Sequence, residues 1–223
     1  MPDSKVSPSE STTPSQLDVG FGGFSDKGKK AENQDAFAAQ QPSGAVRQTK
    51  GAVVCLADGV SCSSNAKEAS QLSVTTFIND YFSTPDAWAV KESVGKVLSS
   101  LNTWLYQHGQ NVSYKQNRLV TTFSGIVFKS NTAYLFHIGD SRIYLLRDGQ
   151  LRLLTKDHVQ FTSKDESFLI RALGMDTHLE VDFHKIELTK GDRFVLTTDG
   201  VHESLSFDAL QALFSRKGVE LEK

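Results

Sequence analysis

The stretch VVCLADGV, Val53–Val60, carries an apolar run straight into an aspartate followed by a glycine. The chain repeats the device as FVLTTDGV from Phe194 to Val201 and, with the order reversed, as YLFHIGDS from Tyr134 to Ser141. Short runs that are apolar on both faces read as buried, central strands. Three such strands therefore each present a carboxylate at an end: Asp58, Asp199 and Asp140. A fourth, Asp35 in KKAENQDA, opens a further strand. One reading of a single strand-Asp-Gly unit is a turn whose carboxylate caps backbone N–H groups. Repetition favours another. A carboxylate at the end of a buried strand needs hydrogen bonds or a positive partner, and the neighbouring Lys and Arg are too few for all four. Divalent cations held through oxygen are a consistent solution, Mg²⁺ and Mn²⁺ above others. A glycine beside the aspartate lets a carbonyl approach such a cation or lets the chain turn without strain.

Outward from these strands the pattern is mixed. Residues 1–16 are rich in Ser, Thr and Pro with no apolar period and read as a flexible polar tail. One domain, 17–223, follows. It opens with a strand from Leu17, a Gly-containing loop, and the strand from Asp35. PSGAVRQTKG reads as a connecting turn before the strand of Val53. Apolar residues then recur at helical spacing from Ala66 to Tyr81, with Ser63 or Ser64 available as cap, and again from about Asp86 to His108, predicting a helix pair. Four short strand-like runs between Val120 and Thr155, with turn chemistry at Ser130-Asn131 and Arg147–Gln150, predict one antiparallel meander. A short helix from Glu166 to Leu173, a polar connection, the strand RFVLTTD and a terminal helix from Ser206 complete the reading. Strands and helices are segregated, so the class is α+β.

Composition narrows the function. With 223 residues, 39% hydrophobic, the chain can bury one sizeable core. A formal charge of −2 offers no basic excess for a phosphate backbone, which argues against nucleic acid as partner. Cys55 and Cys62 read as reduced, no run approaches a membrane helix, and the N-terminus is polar rather than a signal sequence. A cytoplasmic protein with no membrane association is expected.

In order, GFSDKGKKAENQDA, VVCLADGV, EAS, TTFSG, FHIGDSRIYLLRDGQLRLLTKDH, RALG and GDRFVLTTDGVHESLS resemble the successive motifs of the metal-dependent protein serine/threonine phosphatases, protein phosphatase type 2C in its bacterial style. The resemblance spans about Val19 to Leu213. It implies a four-layer α-β-β-α sandwich of two antiparallel sheets flanked by helix pairs, with a binuclear Mn²⁺ or Mg²⁺ site at one end. There a metal-bridging water would attack the phosphorus of phosphoserine or phosphothreonine directly. Carried over, Asp35, Asp58 and Asp199 would be the principal metal ligands and catalytic residues, with Asp58 bridging two ions and Gly59 lending its carbonyl. Asp140 would help hold a weaker third ion, and Lys30 would take the substrate phosphate. The implied partners are phosphorylated Ser/Thr proteins and a cognate Ser/Thr kinase, with the protein acting as a monomer.

This chain departs from the family pattern in several places. Lys30 stands where Arg is usual, replacing a bidentate fork by a point charge. Gln34 stands for a Glu and would orient a metal-bound water. Ser61-Cys62 replaces a Gly pair, Val60 a His, and the sequence reaches Lys223 without the family's Asp-Asn strand, so the domain reads as truncated at its C-terminal end. These changes motivate an alternative, a weak or inactive relative serving as a phosphoprotein- or kinase-binding regulatory module. His137 and His158 read as satisfied structural histidines, Arg142 as a partner for acidic neighbours, Trp88 and Trp104 as core, and Cys62 as a bystander.

Overall fold

The structure, a computed structural model, describes residues 18–63, 65–110, 118–162 and 167–216. The tail 1–16, the fold's start at Leu17, the cap Ser64 and the final residues 217–223 lie outside them. In chain order the elements are β1 (Asp35–Gln40), α1 (Gly44–Lys50), β2 (Ala52–Asp58), α2 (Ala66–Ser83), α3 (Val90–Gln110), β3 (Phe123–Lys129) and β4 (Thr132–Ile138). They continue as β5 (Arg142–Arg147), β6 (Gln150–Leu153), β7 (Val159–Phe161), β8 (Ser167–Leu169), β9 (Asp182–Glu187), β10 (Arg193–Thr197), α4 (Asp199–His202) and α5 (Phe207–Phe214).

Two antiparallel sheets stack, one of order β1-β2-β3-β4-β9 and one of order β10-β5-β6, with β7 and β8 forming a separate hairpin. The alternation of each strand assigns its faces. In β3, Phe123 and Val127 point to the α2–α3 layer, whereas Ile126 and Phe128 point between the sheets. This is why β3 reads as apolar throughout. The α2–α3 core is aromatic at its centre, with the Phe77 ring 5.1 Å from Phe123 and 5.0 Å from Phe136. Truncating such a ring to Ala costs on the order of 3–5 kcal/mol. Helix α3 meets this core along one stripe, Val90, Val94, Val97, Leu98, Leu101 and Leu105. The outer face of the second sheet is covered by α5, whose Leu210 and Phe214 pack on Tyr144, Leu146 and Leu151. Four layers result, α+β as expected, with a helix pair on one side and α5 on the other. Among the described residues no helix is long and apolar enough to cross a membrane.

Several local expectations are corrected. PSGAVRQTKG contains helix α1 rather than a plain turn, ended at Gly51 with φ +79°. Asp18–Gly22 forms no strand; Val19 and Phe21 instead pack into the inter-sheet core. Helix α2 is preceded by Asn65, with no side-chain cap, and not by Ser63. The four-strand meander is two hairpins in different sheets, because β4 pairs with β9 and Gly139 turns the chain at φ +112° into the other sheet. The two-residue β5–β6 loop has both residues at positive φ, Asp148 at 53° and Gly149 at 76°, as a right-twisted hairpin requires. Within the helix expected over 166–173, Glu166 lies outside the described residues and Ser167–Leu169 is strand β8. Its backbone partners come from the preceding β7, and Leu173 bridges the remote Thr121, so strand pairing overrides the helical spacing. The polar connection after it contains β9, whose Phe183 and Ile186 alternate between the two cores. Trp88 precedes α3, and Trp104 is 40% exposed, stacked on His108 rather than buried.

Candidate active site

Strand pairing brings the aspartates to one edge of the sandwich. Asp35 opens β1 and Asp58 closes β2, and the two are direct cross-strand partners. Their side chains leave the same face, the one turned to the second sheet, since Ala36 and Ala57 alternate toward the helices. In that second sheet Thr197, the last residue of β10, pairs with Arg142, the first of β5. Asp199 and Asp140 stand two residues beyond those ends. The two sheets are tied here by a hydrogen bond between residues 163 positions apart, Thr198 Oγ1 donating to Asp35 Oδ2 at 2.9 Å. Thr198 is the N-cap position of α4, yet its hydroxyl does not cap its own helix. It holds Asp35 instead.

The backbone of Asp58 is held on both sides. Its N–H donates to Thr122 Oγ1 at 2.9 Å, and its carbonyl accepts from Thr122 N at 2.8 Å and Thr121 Oγ1 at 2.9 Å. The Thr122 hydroxyl in turn meets Ser141 Oγ at 2.8 Å, linking Asp58 to the neighbour of Asp140. Gly59 lies against the first turn of α2, where a Cβ would come within 2.2 Å of the Ala66 carbonyl oxygen, so a side chain is excluded there. Gly59 N donates to the Gln34 carbonyl at 3.0 Å, and the Gln34 side-chain oxygen accepts from Ser61 Oγ at 3.1 Å.

The electrostatics follow from this crowding. Asp58 is 6% exposed. Burial, the charges of Asp35 and Asp199, and a hydrogen bond with Asp35 push its carboxyl up to about 8, with Lys30 opposing. Burial and Asp199 likewise push Asp140 up to about 6. Asp35 and Asp199 thus destabilise the ionised form of Asp58, and Asp199 that of Asp140. Lys30 sits on an exposed turn, its N–H donating to Lys27 O at 3.0 Å, and its charge reaches Asp58. Among the described residues no three His, Cys, Asp or Glu side chains are drawn in closely enough to form a ready cation cage. The fit to divalent cations rests on the donors: uncompensated carboxylate oxygens, partly shielded from water, whose mutual repulsion a hard cation would relieve. A cleft of about 440 Å³ opens beside Asp35, lined in part by Ser25, Asn33, Phe37, Gln71 and Thr75.

His137 and His158 are both hydrogen-bonded within the fold, as the sequence suggests. His137 Nδ1 meets Ser124 Oγ at 2.8 Å and Nε2 meets the Lys156 carbonyl at 3.2 Å, while burial, then His158, lowers its pKa to about 4. His158 is bonded through both ring nitrogens, to Gly139 and Asp182. Arg142 forms a bidentate pair with Asp157, the shortest contact being 2.7 Å. Cys55 is buried and Cys62 exposed, both free thiols. Sequence reading missed Thr198, Thr122 and Ser141, although each lies inside a quoted motif, because a hydroxyl's partner across the sandwich leaves no local signal. It also missed His202, three residues after Asp199, whose Nδ1 meets Thr197 Oγ1 at 3.1 Å.

Comparison with known proteins gives a concordant picture. The family model described as protein phosphatase 2C matches residues 23–219. Protein phosphatase PhpP of Streptococcus pneumoniae is 26% identical over 202 residues, covering 82% of this chain and 79% of that protein. Serine/threonine phosphatase stp of Listeria monocytogenes is 25% identical over 197 residues, covering 77% and 75%. Among solved structures, the S. agalactiae serine/threonine phosphatase superposes with a TM-score of 0.71 at 21% identity, covering 89% of this chain and 86% of that one, a likeness of fold.

Proposed function

The chain belongs to the protein phosphatase 2C family, and we propose that it hydrolyses phosphoserine and phosphothreonine in proteins, using Mn²⁺ or Mg²⁺ held by Asp35, Asp58 and Asp199. The observation that carries the reading is Asp58, buried between two other carboxylates that arrive from separate strands, at one edge of both sheets. A buried acidic row of this kind is destabilising unless something positive enters it. When bound, divalent cations supply Lewis acidity: they lower the pKa of water, orient it and offset charge on phosphoryl oxygens.

The chain's own groups have distinct tasks. Asp58, which feels the charges of both Asp35 and Asp199, would hold the cations together with them, and the Gly59 carbonyl would be a further oxygen donor. Asp140 serves a weaker third cation. Gln34, already fixed by Ser61, orients a water. Lys30, on its exposed turn, takes the substrate phosphate. Burial and the neighbouring charges push the Asp58 carboxyl up to about 8, so divalent cations would be held more tightly as pH rises. The substrates are proteins phosphorylated on Ser or Thr by a kinase.

The test is hydrolysis of p-nitrophenyl phosphate and of a phosphothreonine peptide with Mn²⁺ or Mg²⁺ added at millimolar levels. Turnover that needs the cation, and that disappears in Asp58→Asn, is expected. Absence of turnover with either cation would overturn the enzymatic reading in favour of a phosphoprotein-binding module.

A further inference from the structure

We infer that His158 is a positioning residue that presents Asp140 to the site; the inference rests on Asp140 facing a cation, as proposed above. Gly139, immediately before Asp140, is gripped twice by one residue. Its N–H donates to His158 Nδ1 at 3.1 Å, and its carbonyl accepts from His158 N at 2.8 Å. Gly139 has φ +112°, and a Cβ there would meet Thr122 at 2.6 Å, so the turn is pressed against the residue that holds the Asp58 backbone. The turn has no room to adjust on that side. Its other side is His158.

The imidazole is held in one orientation. Because Nδ1 accepts, the ring proton is on Nε2, which donates to Asp182 Oδ2 at 3.2 Å. Asp182 lies on β9 and is shared with Arg171, Nη1 standing 3.4 Å from Oδ1, while Arg171 also pairs with Glu180 at 2.8 Å. The ring packs 4.9 Å from His137, and His158 is 5% exposed. A histidine that merely filled space would not need its Nδ1 lone pair aimed at a single N–H. The same residue roots the β7–β8 hairpin, since its carbonyl accepts from Ile170 N at 2.9 Å. The seat of the hairpin and the turn of Asp140 therefore meet at one residue, and the Gly139 N–H depends on its side chain.

Two near-isosteric replacements separate positioning from packing. In His158→Asn the amide oxygen can occupy the place of Nδ1 and still accept from Gly139. In His158→Gln the amide reaches the place of Nε2 and leaves the Gly139 N–H without its partner. Mn²⁺ binding by titration calorimetry and melting temperature in chelator are measured for both variants, for wild type and for Asp140→Asn as control. We expect His158→Gln to raise the dissociation constant of the weakest Mn²⁺ roughly tenfold, as Asp140→Asn does, and His158→Asn to stay within about twofold, while both histidine variants melt lower by similar amounts. If Asp140→Asn weakens Mn²⁺ but His158→Gln does not, or if the two histidine variants weaken it equally, the positioning role is refuted. A silent Asp140→Asn would instead refute the assignment of Asp140, and the inference with it. Should His158→Gln fail to fold, Asp182→Leu retains the imidazole but removes the acceptor that orients it; Mn²⁺ binding unchanged from wild type in that variant would also refute the role.

Discussion

Replacing Asp58 by Asn should stabilise the cation-free protein near neutral pH and abolish its response to Mn²⁺. Burial, then the charges of Asp35 and Asp199, raise the Asp58 carboxyl from 3.8 to about 8 in the folded protein. Below about pH 4 both folded and unfolded chains keep this group protonated and it contributes nothing to the difference. As pH rises from there, the unfolded chain ionises freely while the folded one does not, so the wild type progressively loses stability. The loss is complete above the folded value of about 8. Near pH 7 the ceiling is about 4 kcal/mol, from roughly 1.4 kcal/mol per pH unit of separation. Asp35 and Asp199 are only half-buried, and solvent screening of their charges reduces the expectation to about 2 kcal/mol. For a chain of this size that is a melting difference of about 4–8 °C. Asn retains the shape and removes the charge, so in chelator the variant should melt higher than wild type near pH 7.5, and the gap should close toward pH 4. Saturating Mn²⁺ reverses the order, since a ligand at about 100 times its dissociation constant adds about 2.7 kcal/mol to the protein that binds it. The assay is calorimetric or fluorescence melting of both proteins across pH, with and without Mn²⁺. A variant less stable than wild type in chelator near pH 7.5, or a gap that does not change with pH, would refute the view of Asp58 as the centre of a repulsive carboxylate row.

Thr198→Val removes the side-chain hydrogen bond that ties Asp35 of β1 to the residue preceding Asp199 and should weaken Mn²⁺ binding roughly tenfold, with Thr198→Ser restoring it; equal effects of Val and Ser in calorimetry would show that the hydroxyl is not what matters. Lys30→Ala should raise KM for a phosphothreonine peptide several-fold with little change in kcat, and Lys30→Arg should lower KM by supplying a bidentate fork; steady-state kinetics in which Lys30→Ala changes kcat alone would exclude a ground-state phosphate contact.

What could be read from the chain differs from what could not in the range of the interactions concerned. The Asp-Gly strand ends, the stripes of α2 and α3, and the start of α5 at Ser206 are written in neighbouring residues, and the structure has strands and helices there. The family motifs carried the layered fold for the same reason. Strand β9 failed to register because its backbone partner, β4, is distant in sequence, and the strand Ser167–Leu169 because its pairing with the preceding Val159–Phe161 competes with an apolar spacing that also fits a helix. So did the division of the expected meander, which turns on which strand claims the free edge of β4.

The site shows the same boundary. That Asp35, Asp58, Asp140 and Asp199 are carboxylates at strand ends was determined by the sequence alone, since an apolar run broken by Asp and Gly is a local property. That Asp35 and Asp58 stand opposite one another, that Asp58 lies between two further negative charges, and that Thr198 and His158 hold Asp35 and Gly139 were decided by tertiary structure. Registers between strands, burial and the repulsion of charges in a shared low-dielectric space arise only when remote segments are brought within a few ångströms, and no single segment carries that distance.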